Sequence, residues 1–104
     1  MYRQGDVLIV PIKAMPKNVK AVRRENGSAV LAHGEATGHA HAIKDVRAAL
    51  FSDPRTTEVF MFVGGDAPVA LEHEEHNTIN VPPGSYQIVR QREYSPGAVR
   101  NVAD

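Results

Sequence analysis

The sequence predicts a small all-β domain, a barrel or sandwich of about eight short antiparallel strands, and three observations carry that expectation. Turn signals built on Gly, Pro and Asn recur about every eight to twelve residues. The runs between them are short, apolar and β-prone. No long stretch gathers apolar residues at helical spacing.

The first strand is expected at Val7–Ile12, a β-branched run after a Gly5-Asp6 turn, with Pro11 at an edge or bulge because proline cannot donate to a ladder. A loop follows through Pro16 and Asn18. Ala21–Arg24 and Ala29–Ala32 then flank Asn26-Gly27, the dipeptide that supplies the positive φ values of a tight hairpin. In His39-Ala40-His41-Ala42-Ile43 the alternation of a strand places His39, His41 and Ile43 on one face. Val46–Phe51 reads as a strand or a helical turn, ended by Asp53-Pro54. Thr56–Val63 is the most apolar window and should cross the core before Gly64-Gly65-Asp66 turns the chain. Strands at Pro68–His73, Thr78–Val81 and Ser85–Arg92 complete the set, the last with Tyr86 and Ile88 on one face.

A chain of 104 residues has room for one core, so residues 1–104 are expected to form a single metal-binding β domain. Lys+Arg and Asp+Glu number 12 each, so no global positive field draws the chain to nucleic acid, and the cations at Lys17, Lys20, Arg23 and Arg24 read as a solvated face. Without cysteine, disulfides, thiolate metal sites and thiol nucleophiles are excluded. The N-terminus lacks the features of a signal peptide, and no apolar run approaches a membrane span, so a cytoplasmic protein without a membrane partner is expected.

The chemistry lies in the histidines. All five fall between residues 33 and 76, and four form two compact pairs, His39-x-His41 and His73-x-x-His76. On a strand, imidazoles at i and i+2 point to one side within reach of one ion. His73 and His76 become opposed neighbours if Glu74-Glu75 is a two-residue hairpin loop; a wider loop leaves one of them clearly inward, and a helical turn again sets them side by side. His39, His41, His73 and His76 are therefore the expected ligands of a divalent transition metal, and His33 is left aside as polar surface or as a neighbour that orients a ligand. Imidazole and carboxylate donors favour zinc or iron, with nickel, manganese and copper as alternatives, over magnesium or calcium. Glu35, four residues before His39, and Glu74, between two ligands, are the candidates for proton transfer in a metal-dependent enzyme acting on a small molecule. A noncatalytic metal-binding module is the competing reading. A short chain of many strands also leaves an edge that a homodimer would cover.

Around His39-Ala40-His41, preceded by glycines and followed downstream by Val81-Pro82-Pro83-Gly84-Ser85-Tyr86, the chain partly resembles a single-domain cupin, which implies a metal-binding β-barrel. The longer run Leu31–Ile43, with His73-Glu74-Glu75-His76 and Gln91–Pro96 downstream, resembles small uncharacterised proteins of bacterial and phage genomes. That resemblance implies a self-contained unit and no particular activity.

Overall fold

The structure, a computed structural model, describes residues 1–34 and 38–91. These form ten short strands: β1 (Tyr2–Gln4), β2 (Val7–Ile12), β3 (Lys20–Ala21), β4 (Ala29–His33), β5 (Ala40–Ile43), β6 (Ala48–Ser52), β7 (Val59–Val63), β8 (Val69–Leu71), β9 (Ile79–Val81) and β10 (Gly84–Arg90). All pairings are antiparallel, and no helix occurs among the described residues. Among the described residues, no helix is long and apolar enough to cross a membrane.

Six strands make one sheet in the order β1-β2-β10-β7-β6-β3, while β4-β5 and β8-β9 are separate pairs. The two pairs meet at one bridge, where Ala42 and Glu72 exchange N–H···O bonds of 3.0 and 2.9 Å. Together the pairs cover the larger sheet. Val7, Ile9, Leu50, Met61, Val63, Tyr86 and Ile88 from that sheet share one buried cluster with Leu31, Ile43, Val69, Leu71 and Val81 from the pairs. Burial of apolar side chains at about 25 cal/mol per Å² makes this cluster the main source of stability. No closed barrel forms among the described residues.

β2 matches its expected span, with Val7 and Ile9 buried and Pro11 opposite Tyr86 of β10, beyond the last β1 partner at Ile9. Several other expectations are corrected. Tyr2–Gln4 carries no apolar alternation that would mark a strand, yet it pairs with β2 across a two-residue Gly5-Asp6 turn whose first φ is 58°. Asn26 and Gly27 take φ values of 52° and 81°, as a tight primed turn requires, and one Glu25–Ser28 bridge closes it. The hairpin ends there. β3 turns to the edge of β6, with Val22 N donating to Leu50 O at 2.9 Å, and β4 pairs with β5. The window at 56–63 becomes strand only from Val59, because Thr56 and Thr57 both donate to Asp53 O in a turn with Thr57 at φ 63°.

Arg24, read from sequence as a surface cation, builds the fold instead. Its guanidinium donates to the carbonyls of Gly27 (3.1 Å), Ala48 (2.6 Å) and Asp45 (3.3 Å), tying the Asn26-Gly27 turn to the start of β6. Arg24→Ala leaves these carbonyls without a charged donor and is expected to destabilise the protein by about 2 kcal/mol, read as a lower urea midpoint.

Candidate metal centre

The bridge between β5 and β8 explains how two distant stretches of chain meet. The isolated Ala42–Glu72 bridge brings His73, the next residue of the loop, alongside β5 at His41, and Glu75 alongside His39. The rings of His41 and His73 lie 4.3 Å apart between centroids, and His39 Nδ1 is 3.8 Å from Glu75 Oε1. Glu74 turns back to accept a 2.9 Å bond from Ala40 N–H, fastening the loop to the start of β5.

The ring of His73 lies against His41 as well as His76, and not in a two-residue hairpin with His76. β8 and β9 pair with Leu71 opposite Ile79, so residues 72–78 form the wider of the connections expected from sequence. Both loop histidines nonetheless turn toward His41. His76 lies with its ring 4.6 Å from His73 and 5.8 Å from His41, nearly parallel to the latter at 16°. His39 reaches His73 edge-on at 5.7 Å. All four expected histidines thus form one chain of ring contacts. His33 stays outside it, paired with Glu25 at 3.1 Å. Glu35 lies outside the described residues.

Two glycines make room for the rings. A Cβ on Gly34 would stand 2.9 Å from His39 Cβ and 3.3 Å from His73 Nε2, and one on Gly5 would stand 2.6 Å from His76 Nε2. Neither contact is tolerable without movement, so glycine at these positions is part of the site.

His41 is 2 % exposed and is held by Gln4, itself 2 % exposed. The Gln4 amide nitrogen donates to Leu71 O (2.9 Å) and Asn77 O (3.0 Å). Only its oxygen is left for His41 Nδ1, at 2.8 Å. An amide oxygen accepts, so His41 carries its hydrogen on Nδ1 and presents the Nε2 lone pair. That lone pair faces Asp6 Oδ1 at 3.6 Å, while Arg90 Nε donates to Asp6 Oδ2 at 2.8 Å. Sequence reasoning missed Gln4 and Asp6. Gln4 stands in a strand without apolar pattern, and the Gly5-Asp6 pair signals a turn and nothing more.

Electrostatics favour the ligand form at His41, Glu74 and Asp6. Burial pushes the His41 pKa below its ordinary 6.5, helped by His73 and partly opposed by Asp6. The Ala40 N–H holds the Glu74 carboxyl below the usual range, which makes Glu74 a weak proton acceptor and a ready anionic ligand. For Asp6, burial acts upward, but the hydrogen bond and charge of Arg90 prevail and its pKa is lowered. Because His41 binds its proton more weakly folded than unfolded, the unfolded chain takes up more protons as pH falls below 6.5. Stability at this residue is present above 6.5 and is lost as pH falls through the lower folded value. The metal-free protein is expected to melt at lower temperature at pH 5.5 than at 7.5, with the difference reduced in His41→Asn.

His39, His73 and Glu74 each offer a ligand atom within 4.8 Å of the other two, a group able to hold a metal ion. His73 Nδ1 accepts from Glu75 N–H at 3.0 Å, so its neutral ring carries hydrogen on Nε2. Ligation through Nε2 moves that hydrogen to Nδ1 and releases the contact, a change confined to the exposed loop. A shallow cleft of about 240 Å³, lined by Ala40, Ala42, Lys44, Glu72, His73 and Glu74, opens beside this group. A larger cleft of about 420 Å³, between residues 56–59, residues 87–90 and Leu31-Ala32, touches none of the four histidines.

The model of a domain of unknown function (DUF8820) matches residues 3–91, a span that takes in every residue of the centre. The chain belongs to the DUF8820 family. No curated protein and no solved structure matches it. Membership of DUF8820 brings no assigned chemistry, so function rests on the residues themselves.

Proposed function

We propose that this chain binds a divalent transition metal through the cluster of His39, His41, His73 and His76, with zinc or iron the metals best suited to its nitrogen and carboxylate donors. The observation that carries the reading is the convergence of four imidazoles from residues 39–41 and residues 72–78, with ring centroids 4.3 to 5.8 Å apart from neighbour to neighbour. Satisfied structural histidines seldom need three other imidazoles as neighbours. Like-charged rings at this spacing repel on protonation, whereas a shared cation rewards it.

A catalytic role is supported by the cleft beside His73 and Glu74, which gives a small molecule access to that end of the cluster. A divalent ion there supplies Lewis acidity to polarise a substrate oxygen or to lower the pKa of water. The noncatalytic reading is supported by the other end, where His41 is buried and fixed by Gln4, as in a centre that ties β1, β5 and residues 72–78 together. Elemental analysis after dialysis against zinc is expected to find metal in the wild type and little in His39→Ala/His41→Ala. Equal metal in both proteins, or none in the wild type, would refute the assignment.

A further inference from the structure

We infer that the centre holds two divalent ions, an outer one at His39, His73 and Glu74 and an inner one whose anchoring ligands are His41 Nε2 and Asp6 Oδ1. The inference rests on the metal-binding reading above and adds an inner position, a carboxylate ligand and a stoichiometry to it.

The argument starts from Gln4. Its amide nitrogen is committed to two carbonyls, so its oxygen fixes hydrogen on His41 Nδ1, and the buried Nε2 lone pair is aimed at a carboxylate oxygen. Two acceptors facing each other repel unless a cation lies between them. At 3.6 Å the pair is longer than a hydrogen bond, so a shared proton does not account for the spacing. It suits a metal: two bonds of about 2.1 Å at a tetrahedral angle separate their donor atoms by roughly 3.4 Å.

Both ligands are oriented by residues that do not bind the ion, as in built metal sites: Gln4 holds the far nitrogen of His41, and Arg90 holds the far oxygen of Asp6. His76 is a neighbour of this pair, but its ring nitrogens do not close a three-ligand group with it. Its Nε2 lies against Gly5, the neighbour of Asp6, and its ring stacks on His41. The inner pair thus joins the β1–β2 turn to β5. The outer group draws on His39, just before β5, and residues 72–78, and shares no residue with the inner pair.

The test counts zinc per chain by elemental analysis of the full chain, after equilibration with zinc and removal of free metal. Two ions are expected in the wild type, and one each in Asp6→Asn and His39→Ala, each variant keeping the other's ion. His41→Asn, which can still donate to Gln4, removes the inner pair from its other end and should also retain one; it serves if Asp6→Asn does not fold. One ion in the wild type, lost in both Asp6→Asn and His39→Ala, means a single shared centre and overturns the inference while sparing the metal-binding reading. Two ions kept in both Asp6→Asn and His41→Asn overturn the Asp6–His41 position and leave these residues an ion pair. No zinc in the wild type overturns the metal-binding reading and the inference with it.

Discussion

Replacing Gln4 with leucine is expected to lower the unfolding free energy of the metal-free protein by about 3 kcal/mol and to weaken zinc binding roughly tenfold to a hundredfold. The stability loss follows from what leucine leaves behind. The carbonyls of Leu71 and Asn77 and the Nδ1–H of His41 all lose a partner, in a place where Gln4 is 2 % exposed. Each unsatisfied buried group costs about 1–3 kcal/mol, and some relief from entering water keeps the total below the sum. Leucine has a similar volume, so packing contributes little to the change. The affinity loss has a separate origin. Without an acceptor at Nδ1, the His41 ring is free to carry hydrogen on Nε2 or to rotate, and both remove the lone pair from Asp6. Urea denaturation measures the first effect and zinc titration of folded protein the second. A stability change under about 1 kcal/mol would mean that the amide network does not hold the two layers together.

The same network shows what the sequence made legible and what it concealed. Local signals sufficed for β2, the Asn26-Gly27 turn, β10 and the paired histidines, because alternation, positive-φ dipeptides and His-x-His spacing act within a few residues. They were silent on which edges join. The strand after Pro16 pairs with β6, and residues 72–78 join β5 through Glu72, both choices set by packing between distant segments. That one bridge brings His73 beside His41, with ring centroids 4.3 Å apart. Gln4 was illegible for the same reason: its partners Leu71, Asn77 and His41 are 67, 73 and 37 residues away. Asp6 belongs to a turn whose chemistry explains its presence without any ligand, so the pattern held nothing further to read. The histidines marked the place of the centre, and the groups that orient them emerged only with the tertiary structure.

Gly5→Ala separates metal binding from folding most cleanly. A Cβ there would stand 2.6 Å from His76 Nε2, the far end of a flexible side chain, so the imidazole swings away and the backbone keeps its path. The cost to the metal-free fold is that of an alanine at φ +58°, about 1–2 kcal/mol. Gly34→Ala behaves differently, since its Cβ would meet His39 Cβ at 2.9 Å, an atom fixed to the backbone, and the β4–β5 connection must shift. In the wild type, zinc at about one hundred times its dissociation constant adds about 2.7 kcal/mol, which for a domain of this size raises the melting temperature by roughly 10 °C or more. Displacing His76 weakens binding by about ten- to a hundredfold, which removes about 1.4–2.7 kcal/mol of that gain. Scanning calorimetry with and without zinc should therefore show Gly5→Ala folding cooperatively, melting about 4–8 °C or more below the wild type without metal and gaining only a few degrees with it. An undiminished gain would remove His76 from the ligand set, because the substitution acts on this site through that ring.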